Sequence, residues 1–366
     1  MHKTGMLFLF ILLMGMCNGS IIAACDFSPT VTYPQASTKT FALPLAMTAI
    51  SVRSDLATGT VIYRQNIDIS TNAQKPRVVC DSTGHFQLSY SYASLPRQET
   101  SSGSKIYQTG VDGVGIQFIH DNGIFFPYSY PTTSCINSKS CFFSSVWPVS
   151  SYFVLVKTAE NITGGIVSGS GLPVARYSLG QANSRVPIYE IKITGSLTIT
   201  TPTCNITPAN QSMTVPMGSH HVSDFTGKGS GTEWKNASIQ LSDCGWFYGN
   251  SATAVATFDG TSNTVKALTN NAADITLTPL DGTITAADGI MAIANNASAA
   301  TGIGIQLSST QSVTGKINLN SAYAYALPDD GSRTITVPLF ARYIQTENSL
   351  SAGKANGKLE YTISYR

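Results

Sequence analysis

The stretch HDNGIFFPYSYPTTSCINSKSCFFSSVWP, residues 120–148, holds the densest set of groups in this 366-residue chain that can recognise a polar ligand. Binding a sugar takes planar hydrogen-bonding groups from Asp, Asn or Gln and an aromatic face against the apolar side of the ring, carried on loops that a rigid sheet positions. His120, Asp121, Asn122, Tyr128, Tyr130 and Trp147 supply such groups around Cys135 and Cys141. The same residues admit a plainer reading, in which the aromatics fill a core and Asp121-Asn122-Gly123 makes a hairpin turn. The loop ETSSGS, Glu99 to Ser104, is a second candidate rim.

Catalytic chemistry fits poorly. The five His stand at 2, 85, 120, 220 and 221. Adjacent residues on a strand point to opposite faces, so the His220-His221 pair seldom serves one metal ion and reads better as a solvated loop. VSGSGLP at 167–173 has the glycines of a nucleophile elbow without the strand-turn-helix setting. Asp329-Asp330 precedes Gly331 and reads as a turn. No two Cys stand in Cys-x-x-Cys spacing, which argues against structural zinc. The expectation is a binding protein with no catalysis, metal or cofactor.

The elements that position these residues are strands. TGTVIYRQNIDIS, HFQLSYSYASL, GVGIQFIH, SYFVLVKTA and VPIYEIKITGSLTIT alternate or cluster β-branched and aromatic residues between turn formers. SATAVATFDG, TGIGIQLSS, RTITVPLFARYIQ and KLEYTISYR repeat the pattern. AADGIMAIANNASAA has the best helical period and is short and Ala-rich, so it is read as a loop with one helical turn. The class is all-β, as two β-sandwich domains. A Thr/Pro segment before Cys204 marks the boundary, giving domains at 25–197 and 198–366.

Residues 1–24 have the form of a secretory signal peptide, with a basic start at His2 and Lys3, an apolar run from Met6 to Met16, and small residues at Ala23 and Ala24. The sequence IIAAC also resembles a lipoprotein cleavage site, which would make Cys25 a lipid anchor. A disulfide is the preferred use of Cys25. No later segment reaches the ~18 apolar residues of a membrane helix, so the mature chain is expected to be exported and soluble. Beyond the signal peptide, Cys25, Cys80, Cys135, Cys141, Cys204 and Cys244 form an even set, which in an exported chain favours disulfides. Division by domain leaves far fewer than the fifteen pairings of six Cys, and of these Cys25–Cys80, Cys135–Cys141 and Cys204–Cys244 is the preferred set. Only 11% of residues are charged and the net charge is +2, so no basic stripe for nucleic acid exists.

The chain ends LEYTISYR. Leu359, Tyr361, Ile363 and Tyr365 fall at every second place, the period of a strand with one buried face. The run before it, SLSAGKANGK, is small and polar, so no close hairpin partner precedes the strand.

From Cys204 to Arg366 the sequence resembles a pilin domain of the chaperone–usher fimbriae. The matching pieces are Cys204, WKNASIQLSDC ending at Cys244, TGIGIQL at 301–307, VPLFARYIQ at 337–345, and AGKANGKLEYTISYR with Gly353 and the penultimate Tyr365. The resemblance implies an immunoglobulin-like fold lacking its final strand, whose C-terminal strand borders a groove. A periplasmic chaperone fills that groove first, and the donor strand of the next fimbrial subunit replaces it. Gly353, Leu359, Tyr361, Ile363, Tyr365 and Arg366 would then form the assembly strand, with the chaperone gripping the Arg366 carboxylate. A pilin that donates a strand needs a free arm ahead of its pilin domain. Here a whole domain stands in that place, which implies a position at the fibre tip.

The first domain resembles the receptor-binding domain of a tip adhesin through LATGTVIYRQ, Cys80 and IYQTGVDGVGIQF, an arrangement similar to that of the type 3 fimbrial adhesin. The sugar-binding residues of the mannose-specific type 1 adhesin find no match. The resemblance implies a protein exported through the periplasm, with an outer-membrane usher as a further partner. At the fimbrium tip it would attach the cell to a host glycan, an extracellular-matrix protein or an abiotic surface. A minor structural pilin with a spacer domain is the alternative.

Overall fold

The computed structural model describes residues 25–81, 84–135, 141–144, 150–251 and 253–366. Alternating apolar residues become strands because each then buries one face, and two cores result. In the first domain a five-stranded sheet runs in the order Lys39–Pro44, Ser184–Thr194, Val174–Gln181, Gly84–Ser94 and Tyr128–Cys135. A six-stranded sheet contains Val61–Asp68, Ser150–Lys157, Val114–His120 and Tyr107–Gln108 as consecutive neighbours. One core takes Phe86, Leu88, Tyr90, Tyr177 and Ile191 from the first sheet and Tyr63, Ile67, Ile116, Phe118 and Phe153 from the second. Ser151 Oγ and Tyr177 OH meet at 2.7 Å across the sandwich.

The outer end of the six-stranded sheet departs from the sequence reading. SATAVATFDG was expected to build the second domain. Its strand Ala256–Phe258 instead lies parallel to Val61–Asp68, and Asn263–Val265 pairs beyond it as a hairpin. Val255, Ala256 and Phe258 are buried in the first core. Ser196–Thr200 runs across residue 197, pairs with Gly165–Ser168 and Ala49–Ser51, and buries Leu197 and Ile199 in that same core.

In the second domain a separate core gathers Ile239, Leu241, Ile275, Leu277, Leu307, Ile335, Val337 and Tyr343. Ile303–Ser308 and Phe340–Gln345 pair antiparallel within a five-stranded sheet. The Ala-rich segment holds a 3-10 turn at Ala286–Asp288, as expected, but also a short strand, Ile290–Met291, that the sequence reading missed. Leu359–Tyr365 pairs antiparallel with Ala272–Pro279, from Ala273 opposite Tyr365 to Pro279 opposite Leu359.

Cys25 is bonded to Cys80 and Cys204 to Cys244. The first bond uses the thiol that a lipid anchor at Cys25 would need. The expected Cys135–Cys141 bond falls on side chains outside the described residues. Among the described residues no helix is long and apolar enough to cross a membrane.

Candidate functional site

The strand Val114–His120 delivers its last residue into a tight turn. Gly123 N donates to His120 O at 2.8 Å, and His120 N donates to Ile124 O at 2.8 Å. Gly123 takes φ +84°, a conformation that suits glycine. Asp121 and Asn122 are exposed on this turn, and the Asp-Asn-Gly sequence does form the hairpin that the plainer reading anticipates. His120 Nδ1 lies 2.6 Å from Asp121 Oδ1 and 2.8 Å from Asn122 Oδ1, so both planar groups stand within hydrogen-bond reach of the imidazole.

A row of rings connects this turn to the core. Tyr90, 3% exposed, lies 4.7 Å from the His120 ring, 5.3 Å from Phe126 and 6.2 Å from Tyr130. Tyr130 continues to Tyr128 at 5.9 Å. Exposure rises along the row, from buried Phe126 to Tyr128 at 39%. The aromatics therefore divide between the two readings: Phe126 fills the core, whereas Tyr128 offers its ring to solvent. Burial, and then the neighbouring Tyr130 hydroxyl, push Tyr90 far above the ordinary phenol range. Tyr90 is accordingly a neutral support for the exposed row.

The second candidate rim converges on the first. Glu99 Oε2 accepts from Gly103 N at 2.8 Å and its Oε1 from Lys105 N at 3.1 Å, which folds the loop from Glu99 to Ser104 back on itself. Lys105 Nζ then donates to Pro127 O at 3.2 Å, beside Tyr128. Sequence reasoning missed Lys105 as this tie, Tyr90 as the support, and Phe125 as a second exposed ring at 43%. The Phe125-Phe126 pair was visible in sequence, but only tertiary packing decides which ring turns inward. Trp147 lies outside the described residues. The arrangement offers two stacking faces, a carboxylate, a carboxamide and an ammonium group, a set suited to a polyol or a polar peptide.

A second candidate site lies at the C-terminus. Among the described residues Leu359–Tyr365 has a strand neighbour on one side only, in the sheet order Tyr323–Ala326, Ala272–Pro279, Leu359–Tyr365. Leu359, Tyr361, Ile363 and Tyr365 pack on the second core, yet all four stay partly exposed. Tyr361 OH donates to Asn210 O at 2.5 Å, and Cys204 N donates to Tyr365 OH at 3.2 Å. Tyr365 also stacks on Phe247 at 5.6 Å. Arg366 is tied by backbone bonds to Ala272 and by Nε to Asp274 Oδ1 at 3.1 Å.

Gly353 departs from its expected role. It lies ahead of the strand, where a side-chain Cβ would stand 2.3 Å from Ala300 N. Its requirement is the close crossing of residues 351–354 over 299–301, secured by Ala300 N donating to Lys354 O at 3.0 Å. The terminal strand begins at Leu359. Among the described residues no group of three or more His, Cys, Asp or Glu is placed to hold a metal ion. His221 N donates to Asp224 Oδ2 in an exposed loop, in keeping with the solvated reading of the His pair.

Residues 43–196 match the family model of the MrkD-like receptor binding domain, and residues 191–366 match that of the fimbrial protein. The chain belongs to the fimbrial adhesins. A fimbria adhesin protein of Klebsiella pneumoniae is 26% identical over 362 residues, 98% of each chain. Among solved structures, the receptor binding domain of the plasmid-born adhesin MrkD1P of Klebsiella pneumoniae is 21% identical, with a TM-score of 0.36, covering 50% of this adhesin and 99% of that chain. The CupB6 tip adhesin from Pseudomonas aeruginosa is 15% identical, with a TM-score of 0.34, covering 93% of this adhesin and 94% of that chain. In this adhesin the exposed aromatic row lies in the receptor-binding part and the one-sided C-terminal strand in the fimbrial part.

Proposed function

We propose that this fimbrial adhesin occupies the tip of a chaperone–usher fibre, attaches through the surface formed by Asp121, Asn122, Tyr128 and Tyr130, and is assembled by accepting a strand beside Leu359–Tyr365. The observation that carries the assembly reading is the terminal strand itself. Among the described residues it has one paired edge, and its inward side chains stay partly exposed. An incoming strand would complete their burial while its backbone pairs with the free edge, and alternate side chains would set specificity. The chaperone takes this place first, gripping the Arg366 carboxylate, and the donor strand of the next subunit follows at the usher. The chain accepts a strand and donates none to a neighbouring subunit, which suits the tip.

For attachment, the exposed rings and planar polar groups favour a host glycan, with an extracellular-matrix protein as the alternative outcome of the test. The experiment is binding of the full-length protein, held in its chaperone complex, to a glycan array and to surfaces coated with matrix proteins. Saturable binding to related sugars that Tyr128→Ala abolishes supports the glycan assignment, and binding only to a protein surface replaces it. Removal of residues 359–366 should abolish recovery of the chaperone complex; normal recovery would sink the assembly reading.

A further inference from the structure

The hairpin that closes the six-stranded sheet comes from the other domain, and its contacts are those of a core element. Ala256, Thr257 and Phe258 stand opposite Gln65, Asn66 and Ile67, and Val255 N donates to Arg64 O at 2.9 Å. Phe258 is fully buried among residues of the receptor-binding domain. Gly260 passes so close to Phe41 that a Cβ there would stand 3.0 Å from the ring.

A buried polar group identifies the hairpin as a specific partner. The Gln65 side chain is 0% exposed. Its Nε2 donates to Asn263 Oδ1 at 2.9 Å and to Pro44 O at 3.0 Å, while its Oε1 accepts from Tyr63 OH at 2.7 Å. Asn263 Nδ2 donates in turn to Pro44 O at 2.9 Å, and Asn72 Nδ2 to Asp259 O at 2.8 Å. A buried polar hydrogen without a partner is unfavourable, and while Tyr63, Ala46 and Pro44 of the receptor-binding domain serve the rest of the Gln65 carboxamide, one of its two Nε2 hydrogens is satisfied by Asn263 of the hairpin. Outside the hairpin, Ser51 N donates to Gly249 O at 2.9 Å, and Tyr248 N donates to Ser51 Oγ at 2.9 Å.

We infer that the fimbrial domain completes the receptor-binding domain in cis. The hairpin is a built-in strand donor, and residues 25–200 form a finished folding unit only together with residues 253–268. Without it, Val61–Asp68 is an uncovered sheet edge above an opened core, the configuration that folded proteins avoid. Covalent connection keeps the donor at high effective concentration, so the pairing forms within the chain and does not exchange. The inference is independent of what the receptor is. It also means that a receptor fragment ending near residue 200 lacks part of its core.

The test is hydrogen exchange on the full-length protein, with the wild type compared to a chain in which residues 254–266 are replaced by a Gly/Ser linker of equal length. Amides of residues 61–68 should exchange at least about a hundredfold faster in the replaced chain, with residues 272–279 and 359–365 unchanged, because a sheet element that loses its cover opens locally. Unchanged protection of residues 61–68 overturns the inference. Should the replaced chain fail to fold, an otherwise wild-type chain carrying Asn66→Cys and Thr257→Cys decides. Paired strands lie about 4.8 Å apart, within the span of a disulfide, so a cross-linked peptide is expected on oxidation. Its absence overturns the inference.

Discussion

Phe258→Ala separates two architectures that the same sequence allows. If the strand of Phe258 served the fimbrial domain, truncation would weaken that domain. Here Phe258 is 0% exposed in the receptor-binding core, so the loss falls on the first domain. Removing a fully buried Phe costs about 3–5 kcal/mol, and a short hairpin at the sheet end has room to relax, which favours the lower part of that range. With a urea dependence of about 2 kcal/mol per M, the unfolding midpoint of the first domain should fall by about 1.5 M. The assay is urea unfolding of the full-length protein with brief proteolysis at each concentration, the fragments assigned by mass to Val61–Asp68 and Ser150–Lys157 or to Ala272–Pro279 and Leu359–Tyr365. Val265→Ala, on the outer strand of the hairpin and 51% exposed, is the control and should stay within about 0.5 kcal/mol of wild type. A loss confined to the fimbrial domain, or no larger than that of Val265→Ala, refutes the reasoning.

Tyr128→Ala should leave the unfolding free energies within about 0.5 kcal/mol of wild type, because the ring is exposed, and should reduce receptor binding at least about tenfold in an array titration. Tyr90→Ala should instead destabilise the first domain by about 3 kcal/mol, since its ring is buried among Phe126, Tyr130 and Tyr177. Replacing Cys204 and Cys244 together by Ser opens a loop with a sequence separation of 40 and should cost the second domain about 2–4 kcal/mol, measured on its own urea transition. Burial raises the phenols of Tyr90 and Tyr177, and that of Tyr189 to about 12. The folded state thus favours their neutral forms: stability is complete below the ordinary tyrosine pKa of about 10 and falls as pH rises above it, since the unfolded chain ionises first. Thermal midpoints measured from pH 8 to 12 should decline beyond about pH 10, and a flat profile would contradict this.

Much of the framework was legible because burial imposes a period. HFQLSYSYASL alternates, and Phe86, Leu88 and Tyr90 turn inward. The Asp121-Asn122-Gly123 turn follows from local chemistry, and compartment favours disulfides, whereas the Cys25–Cys80 partnership is decided by the fold. Period states which face is buried and leaves the partner open, so SATAVATFDG read correctly as a strand while its pairing with Val61–Asp68 of the first domain did not show. The partner of the C-terminal strand, Ala272–Pro279, also alternates, with Ala273, Ile275 and Leu277 buried, but follows an Asn- and Ala-rich run that carries no strand signal. Ile290–Met291 is too short to carry a period at all, and tertiary pairing with Ile303–Ser308 makes it a strand. At the candidate receptor surface residue types were legible, whereas the inward turn of Phe126 beside outward Phe125 was decided by packing.

The two sheet edges of this adhesin meet the same hazard in opposite ways. An unpaired edge over an apolar core invites association, and a chain can cover it or reserve it. Val61–Asp68 is covered from within: the hairpin buries Phe258, satisfies one hydrogen of the Gln65 carboxamide through Asn263, and is held by a covalent link that an outside strand must compete against. Leu359–Tyr365 has no such cover among the described residues, and its four inward side chains remain partly exposed. The difference matches the demand on each edge. A receptor-binding domain has to keep one shape while it is attached, so its closing strand belongs to the same molecule. On the assembly proposed for Leu359–Tyr365 that edge has to change partners, so its closing strand cannot.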